Sequence, residues 1–255
     1  MNEYLASMMP PTASAHGPHL DMVNSIVHWL MLVLFVFWGL YFLFVLYRFR
    51  ASRNPKANYV GVKNHMSSYA EAGVAVLEAV ILIGLAIPAW SKWVTPHPAG
   101  DNALEIRIVA EQFAWNVHYS GPDGVFGRSE PTLVDATNPT GLDRADPNAK
   151  DDIIAVNQLH LEVDRPTTIR LSSKDVIHSF SLPVMRVKQD AIPGFEFPVY
   201  FTPVKTSEGE TWEIACAQLC GLGHYRMKGQ LVVHTKEDLE EWLAANAPVP
   251  DQPAG

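Results

Sequence analysis

Long apolar stretches stand out in the N-terminal part of the chain. Residues 26–47 contain no charged side chain, and a helix of about 20 apolar residues spans the hydrocarbon core of a bilayer. A second apolar run, at about residues 72–90, contains a single charged residue, Glu78, and ends with Pro88 and the aromatic residues Trp90 and Trp93. Aromatic side chains of this kind favour membrane interfaces. The pattern predicts two membrane-spanning helices.

The segment between these runs is basic. It contains no acidic residue before Glu71, so the positive-inside rule places this loop in the cytoplasm and both ends of the chain outside. Its basic residues are Arg48, Arg50, Arg53, Lys56 and Lys63. A buried helical hairpin of a soluble protein is the alternative. A cleaved signal peptide fits poorly, because the first run is longer than a signal core of about 7–15 residues, although a leader that ends before Ile26 is left open.

The pattern changes to a period of two residues from about Leu104. Leu104, Ile106 and Ile108 alternate with polar side chains, and the same rhythm returns at residues 159–163 and 167–171, which is typical of half-buried strands. Residues 121–152 are rich in Gly, Pro, Asp, Asn and Thr and predict a surface insertion. Thr235 is placed to cap a terminal helix over residues 236–245. We therefore divide the chain into an outer segment 1–25, a transmembrane hairpin 26–95, a β domain 101–245 with the insertion 121–152, and a tail 246–255.

Composition excludes several classes of protein. With 48% hydrophobic residues among 255, and Gly and Pro scattered without period, the chain is neither disordered nor collagen-like. The net charge of −8 argues against a nucleic-acid partner, which would need a basic face. The acidic excess lies in residues 101–255, so a partner recruited by charge should be basic.

The side chains suited to metal binding concentrate in residues 213–227. Cys216 and Cys220 are followed by His224 and Met227 at short intervals. Thiolate, imidazole and thioether together favour copper, whereas structural zinc prefers four Cys or His ligands and rarely binds Met. His178, just before a strand-like run, is a second candidate imidazole.

Two other interpretations of the same residues stay open at this point. In an oxidising compartment, Cys216 and Cys220 could form a disulfide, with His224 and Met227 as packing residues. A mononuclear blue-copper site would bind through one Cys, two His and an axial Met, which would leave the second cysteine unused beside the metal.

The motifs resemble a known family. The run Cys-x-x-x-Cys-Gly-x-x-His-x-x-Met at 216–227, the upstream Asp-Val-x-His at 175–178 and the segment Asp-Ala-Ile-Pro-Gly at 190–194 are similar to those of subunit II of the haem–copper cytochrome c oxidases, over almost the whole chain. The resemblance implies a two-helix transmembrane hairpin followed by an all-β cupredoxin-like domain, a Greek-key β-barrel. It also implies a binuclear copper centre, CuA, whose ligands would be His178, Cys216, the backbone carbonyl of Gln218, Cys220, His224 and Met227.

The resemblance further implies a function and its setting. The domain outside the bacterial cytoplasmic membrane, on the periplasmic side, would take electrons from a c-type cytochrome. It would pass them to haem in the catalytic subunit I, where dioxygen reduction is coupled to proton translocation. The expected partners are subunit I, other oxidase subunits, the cytochrome donor and membrane lipid, with membership of a respiratory supercomplex left open. No haem-binding constellation of this chain's own is visible.

The sequence departs from the family at three positions. Gln218 stands where the family usually has an acidic side chain that helps to hold a magnesium ion, so the binding of magnesium by this chain is left open. Phe113 stands where the family has the tryptophan at which electrons enter, and Trp115 follows two residues later, which makes both of them candidates for that role. Phe195 stands where many relatives have Arg.

Glu78 lies inside a predicted span, where a carboxylate is costly and often functional. In the resembled family, a Glu in the matching segment forms the mouth of a proton-uptake path; the alternative is an interfacial Glu near the positive end of a helix. The histidines without ligand-like spacing are left out of the site, namely His16, His19, His28, His65, His97, His118, His160 and His234.

Three other functions are alternatives to that of an electron-accepting subunit. A membrane-anchored mononuclear copper protein or copper carrier is the main alternative, although a carrier would favour an exposed, flexible Met/His tract. A quinol oxidase subunit would lack the cysteines. The CuA domain of a nitrous oxide reductase would accompany a large catalytic domain.

Overall fold

The computed structural model describes residues 8–56, 59–61, 64–94 and 102–248. The chain forms two compact units: residues 1–24 together with 99–255, and residues 25–98. Lys63, His97, the side chain of Trp93 and the tail beyond residue 248 lie outside the described part.

Three helical segments account for most of the N-terminal part. Helix α1 is Gly17–Phe49, α2 is Met66–Ile81 and α3 is Ile87–Val94. A π-helical turn, Leu82–Ala86, joins α2 to α3. It lies just before Pro88, which has no backbone N–H to donate to a regular helical ladder.

Helix α1 and the segment Met66–Gly84 are long and apolar enough to cross a membrane, and their most apolar windows have no buried residue. Side chains such as Phe35 and Leu82 point outward instead of into a protein core. This is expected of lipid-facing helices and does not fit a buried hairpin of a soluble protein. Helix α1 begins at Gly17, before the predicted span, because hydropathy detects only the apolar part of a helix.

Ten strands form the β domain in the part of the chain that the structure describes. They are β1 Leu104–Glu111, β2 Ala114–Tyr119, β3 Ile153–Val156, β4 Gln158–Glu162, β5 Thr167–Ser173, β6 His178–Leu182, β7 Val187–Ala191, β8 Phe197–Phe201, β9 Trp212–Cys216 and β10 Lys228–His234. One sheet has the order β3-β2-β1-β5-β8, and the other β4-β10-β9-β6-β7. Pairs β1–β5 and β4–β10 are parallel, and the remaining pairs are antiparallel. The domain is cupredoxin-like, as the resemblance implied.

The core lies between the two sheets and follows the predicted two-residue period. Ile106, Ile108 and Ala110 of β1 are fully buried, and so are Leu159 and Leu161 of β4. Side chains of alternate residues point to opposite faces of a strand, so each strand contributes every second residue to the core.

The segment before α1 is also part of this domain. Ala13 and Ser14 are buried. The Ala13 N–H donates to the Val184 carbonyl at 2.8 Å, and the Ser14 hydroxyl donates to the Met185 carbonyl at 2.7 Å. Arg186 forms an ion pair with Asp21 at 2.7 Å. The β domain therefore includes residues that precede α1 and residues of its first turns.

The insertion 121–152 contains two short 3-10 turns, Pro131–Leu133 and Pro147–Ala149. It contributes no residue to the main hydrophobic cluster. Buried polar contacts fasten it instead: Asp152 lies 2.6 Å from His118 Nε2 and accepts the Gly127 N–H at 2.8 Å. At the other end of the domain, α4, Lys236–Asn246, begins where expected, because the Thr235 side chain accepts the Asp238 N–H.

Candidate metal centre

The predicted ligands come from strands β6 and β9 and from the segment that joins β9 to β10. His178 is the first residue of β6 and Cys216 is the last residue of β9. The chain between β9 and β10 carries Cys220, a short 3-10 turn that begins at His224, and Met227. Because β6 pairs with β9, with Phe180 opposite Cys216, the sheet brings the distant histidine to the cysteine segment.

The two cysteines lie side by side. Their Sγ atoms are 3.8 Å apart, well beyond the roughly 2.05 Å of a disulfide bond, and both are free thiols. Cys216 Sγ also lies 3.2 Å from the carbonyl oxygen of Gln218. The structure therefore shows a dithiol, not the disulfide that the sequence left open.

The remaining three groups close the cluster around Cys220. Its Sγ lies 3.6 Å from His224 Nδ1 and 3.7 Å from Met227 Sδ. His178 Nδ1 lies 3.1 Å from the same Met227 Sδ. The ligand atoms of His178, Cys216 and Cys220 all lie within 4.8 Å of one another. All six predicted groups thus form one contiguous set.

This donor set suits a soft metal. Two sulfur atoms of cysteine, one thioether and two imidazoles match copper better than hard cations. Burial, followed by the hydrogen bond with Cys216, raises the pKa of the Cys220 thiol to about 11, so in the absence of a cation the thiol keeps its proton at neutral pH. Binding of a metal would release that proton and supply the charge that the buried thiolate needs.

Asp175 and Gln112, which the sequence did not assign to the site, hold it from outside. Asp175 Oδ1 lies 2.8 Å from His178 Nε2, and Asp175 Oδ2 accepts the Gln112 N–H at 2.6 Å. The Gln112 side-chain amide donates to the Cys220 carbonyl at 2.6 Å. Burial raises the pKa of Asp175, but hydrogen bonds from His178 and from the Gln112 and Val176 N–H groups outweigh it, and the pKa lies below its usual value.

Phe113 packs directly on the ligand loop. A Cβ atom added at Gly223 would lie 2.4 Å from the Phe113 ring, and one added at Gly221 would lie 2.6 Å from the Gln112 amide. Gly221 also has a φ of +133°, which disfavours any other residue there. The guanidinium of Arg226 lies 6.0 Å from the Phe113 ring centre. Glycine at both positions thus lets the loop approach the partly exposed Phe113.

Trp115 is placed differently. It is fully buried and contacts His178 edge to face, with ring centres 6.2 Å apart, and Phe180 at 5.4 Å. Of the two aromatic candidates for the point where electrons enter, only Phe113 reaches the surface, while Trp115 lies behind His178 in the core.

Several large side chains of the ligand loop are exposed. Leu222 is 99% exposed, and Leu219 and Tyr225 are each 77% exposed. Gln218 and Phe195 are also exposed. Apolar groups presented in this way are typical of a surface that contacts another protein.

The other singled-out residues are not members of the cluster. Glu78 is an exposed residue of α2 in the other unit. Two of the excluded histidines are structural: His118 pairs with buried Asp152, and His160 stacks on Trp242 with ring centres 3.8 Å apart. His234 lies against His160, 2.7 Å from Nε2 to Nδ1.

Comparisons with known proteins agree with the motifs. The family model "Cytochrome C oxidase subunit II, periplasmic domain" matches residues 104–235. The alternative cytochrome c oxidase subunit 2 of Bradyrhizobium diazoefficiens is 31% identical over 235 residues, which are 91% of this chain and 82% of the relative. A cytochrome c oxidase subunit 2 of Thermostichus vulcanus is 42% identical over 100 residues, 39% of this chain and 29% of that protein.

A solved structure gives a weaker likeness. The periplasmic domain of subunit II of cytochrome oxidase of Bradyrhizobium japonicum is 25% identical, and the match covers 56% of this chain and 92% of that domain with a TM-score of 0.41. The family model matches residues 104–235, and the Bradyrhizobium diazoefficiens relative is 31% identical over 91% of this chain. The chain therefore belongs to the cytochrome c oxidase subunit II family.

Proposed function

We propose that this chain is the electron-accepting subunit of a terminal cytochrome c oxidase and that it binds a binuclear copper centre. One observation carries the proposal: the six groups expected as ligands lie in one contiguous cluster. Cys216, Cys220, His178, His224, Met227 and the Gln218 carbonyl would hold the copper. Family membership does not favour the alternative of a mononuclear copper protein or copper carrier.

The protein's contribution is to hold the ligands rigidly. Copper bound there would supply one-electron transfer with little reorganisation. His178 and Cys216 stand on paired strands, and Gln112 ties the Cys220 backbone to the β1–β2 connection. Ligands fixed by such packing and hydrogen bonds keep their positions in both redox states.

The proposed donor is a basic c-type cytochrome and the proposed acceptor is haem in the catalytic subunit. Partly exposed Phe113 and the exposed side chains of the ligand loop support a contact at this end of the domain. The acidic excess of residues 101–255 would steer a basic donor and speed association more than it would strengthen the complex. Electrons would enter at Phe113, since Trp115 is buried.

The membrane part completes the proposal. The two candidate spans would anchor the chain in the bacterial cytoplasmic membrane, with the β domain on the periplasmic side and the loop after α1 in the cytoplasm. Glu78, on α2, would lie at the mouth of a proton path into the catalytic subunit. Gln218 offers no carboxylate, so its side chain supplies no charge for magnesium.

Single-turnover kinetics test this function. The full-length chain, loaded with copper, is mixed with a reduced c-type cytochrome, and the oxidation of the cytochrome is followed by its absorbance. We expect rapid oxidation by the wild type, slower oxidation at high salt, and none by Cys216→Ser. Equal oxidation by the wild type and Cys216→Ser would contradict the proposal, and so would no oxidation by either. The full chain is needed because Ala13 and Ser14 are buried in the β domain.

A further inference from the structure

A group of arginines surrounds an aromatic ring at the end of the first span. Tyr47 lies in the last turn of α1, and the chain then forms a tight turn in which the Arg53 N–H donates to the Arg50 carbonyl at 2.9 Å. The Arg53 guanidinium lies 4.2 Å from the Tyr47 ring centre, and the Arg50 guanidinium lies 4.9 Å from it. Arg53 Nη2 also donates to the Tyr47 hydroxyl at 2.6 Å. We name Tyr47, Arg50 and Arg53 the arginine box.

Asn54 holds this turn in place. Its side-chain amide donates to the Arg48 carbonyl, and its Oδ1 accepts from Arg48 Nη1 at 3.4 Å. The Arg48 guanidinium lies 5.4 Å from the Phe49 ring centre. Arg48, Arg50 and Arg53 thus all lie in the last turn of α1 or in the turn that follows it.

The guanidinium groups of Arg48, Arg50 and Arg53 have no carboxylate partner among the residues that the structure describes. The sequence has no Asp or Glu from residue 22 to residue 70, and among the described residues none of the ion pairs involves Arg48, Arg50 or Arg53. By contrast, Arg128, Arg165, Arg170 and Arg186 of the β domain each pair with a carboxylate.

The end of α1 does not neutralise this charge. The carbonyl end of a helix carries the equivalent of about half a negative elementary charge. The two arginines of the box and Arg48 together carry three positive charges. The Tyr47 ring attracts cations through its electrons, but it has no net charge. Like charges gathered in this way favour the binding of an anion, and Arg50 and Arg53 still have unused N–H donors in the fork geometry that matches a phosphate.

The position of the box indicates which anion is at hand. It follows directly on the apolar run that ends at Tyr47, and Tyr47 and Phe49 are 53% and 62% exposed, as interfacial aromatic residues are. A side chain at this depth faces lipid headgroups, and basic residues beside a span attract anionic lipids.

We propose that the arginine box binds the phosphodiester headgroup of an anionic phospholipid at the cytoplasmic end of α1. This inference rests on the membrane insertion contained in the proposed function. Arg50 and Arg53 would each donate a pair of N–H groups to phosphate oxygens, while the Tyr47 ring keeps the two guanidinium groups in position.

Lipid selectivity of the full-length chain tests the site. The chain is reconstituted into nanodiscs that contain phosphatidylcholine and phosphatidylglycerol, and the lipids that remain bound after release are counted by native mass spectrometry. We expect enrichment of phosphatidylglycerol in the wild type. Arg50→Gln and Arg53→Gln should each reduce it about fivefold, the factor that corresponds to about 1 kcal/mol per basic residue at a membrane surface.

Three further variants separate a built site from diffuse attraction. Arg53→Lys keeps the positive charge but loses the paired N–H donors of the guanidinium group. Tyr47→Leu leaves every charge in place but removes the ring. Both variants should lose the enrichment of phosphatidylglycerol. Lys56→Gln removes one charge from the same exposed loop but outside the arginine box. Of the charge-removing variants, it should change the enrichment of phosphatidylglycerol least. The inference is overturned if Arg53→Lys and Tyr47→Leu match the wild type, or if Lys56→Gln loses as much as Arg53→Gln.

Helix content and the copper spectrum are recorded on the same samples. Unchanged helix content shows that the variants fold and insert. A chain that selects phosphatidylglycerol but binds no copper would refute the proposed function and leave the lipid site standing. A chain with the copper spectrum but without lipid selectivity would refute the lipid site alone.

Discussion

The carboxylate of Asp175 and the imidazole of His178 form a hydrogen bond of 2.8 Å between Oδ1 and Nε2, while Nδ1 of the same ring faces Met227 Sδ at 3.1 Å. A carboxylate on one ring nitrogen places the proton there and leaves the other nitrogen as the ligand, an arrangement that is common for metal-binding histidines. The ring of His178 is therefore oriented for a metal by a residue three positions earlier in the chain.

Asp175→Asn should weaken copper binding. The amide cannot accept the His178 N–H and the Gln112 N–H as strongly as the carboxylate does, and loss of such a partner typically costs about 10–100-fold in metal affinity. Competition with a copper chelator measures the affinity, and visible absorption reports the geometry. Asp190→Asn, at an exposed position, is the matched control. Equal affinities for the two variants would contradict the role of Asp175.

Gln112→Glu should loosen the ligand loop. The substituted side chain has a similar size but no N–H for the Cys220 carbonyl, and a typical hydrogen bond contributes about 1 kcal/mol. We expect a lower free energy of unfolding and a shifted copper absorption band. Gln230→Glu, on the exposed side of β10, makes the same chemical change elsewhere. If Gln230→Glu shifts the copper absorption band as much as Gln112→Glu does, the shift arises from the added negative charge, and the contact assigned to Gln112 is wrong.

Asp152→Asn should release the insertion 121–152 without affecting the metal centre. Asp152 and His118 are buried side chains with 0% and 2% exposure, 2.6 Å apart, and breaking such a pair costs about 3–5 kcal/mol. Limited proteolysis should cut faster within the insertion, while the copper spectrum stays unchanged. Asp151→Asn, at the neighbouring partly exposed position, should be cut at the wild-type rate. Equal rates for the two variants would argue against the buried pair as the fastening.

The contact between His160 and the terminal helix should make the domain sensitive to acid. Burial, and then the neighbouring His234, lower the pKa of His160 from 6.5 to about 4, so the unfolded chain binds the proton more tightly than the folded chain. The stability due to neutral His160 is fully present above pH 6.5 and is lost as the pH falls toward 4, by about 1.4 kcal/mol for each unit of pKa difference.

Denaturant titrations at several pH values, followed by tryptophan fluorescence, measure this loss. His160→Gln should flatten the dependence of stability on pH between 6.5 and 4, whereas His65→Gln, at an exposed position, should not. A wild-type stability that is constant over this range would contradict the assignment.

Local patterns were sufficient to predict much of this molecule. The alternation at Ile106 and Ile108 marks a strand because one face of β1 is buried. The cap at Thr235 marks the start of α4 because it depends on residues only three positions apart. Asp175 and His178 are equally close in sequence, so their contact could have been inferred from the motif.

The remaining contacts depend on tertiary structure. Gln112 and the Cys220 carbonyl are 108 residues apart, and no local pattern relates them. Trp115 was a candidate for electron entry because it lies two residues after Phe113 in the sequence. Its position in β2, however, places it in the core behind His178. The packing of Ala13 and Ser14 in the β domain was equally hidden, because that short segment has no periodicity.

Copper content per chain, combined with electron paramagnetic resonance, tests the central claim most directly. The full-length chain is loaded with copper and compared with Cys216→Ser and Met227→Leu. The account predicts a copper pair per chain with hyperfine structure from one electron shared between the ions, lost in Cys216→Ser and altered in Met227→Leu. A single copper with a localised signal in the wild type, or no tightly bound copper, would contradict it.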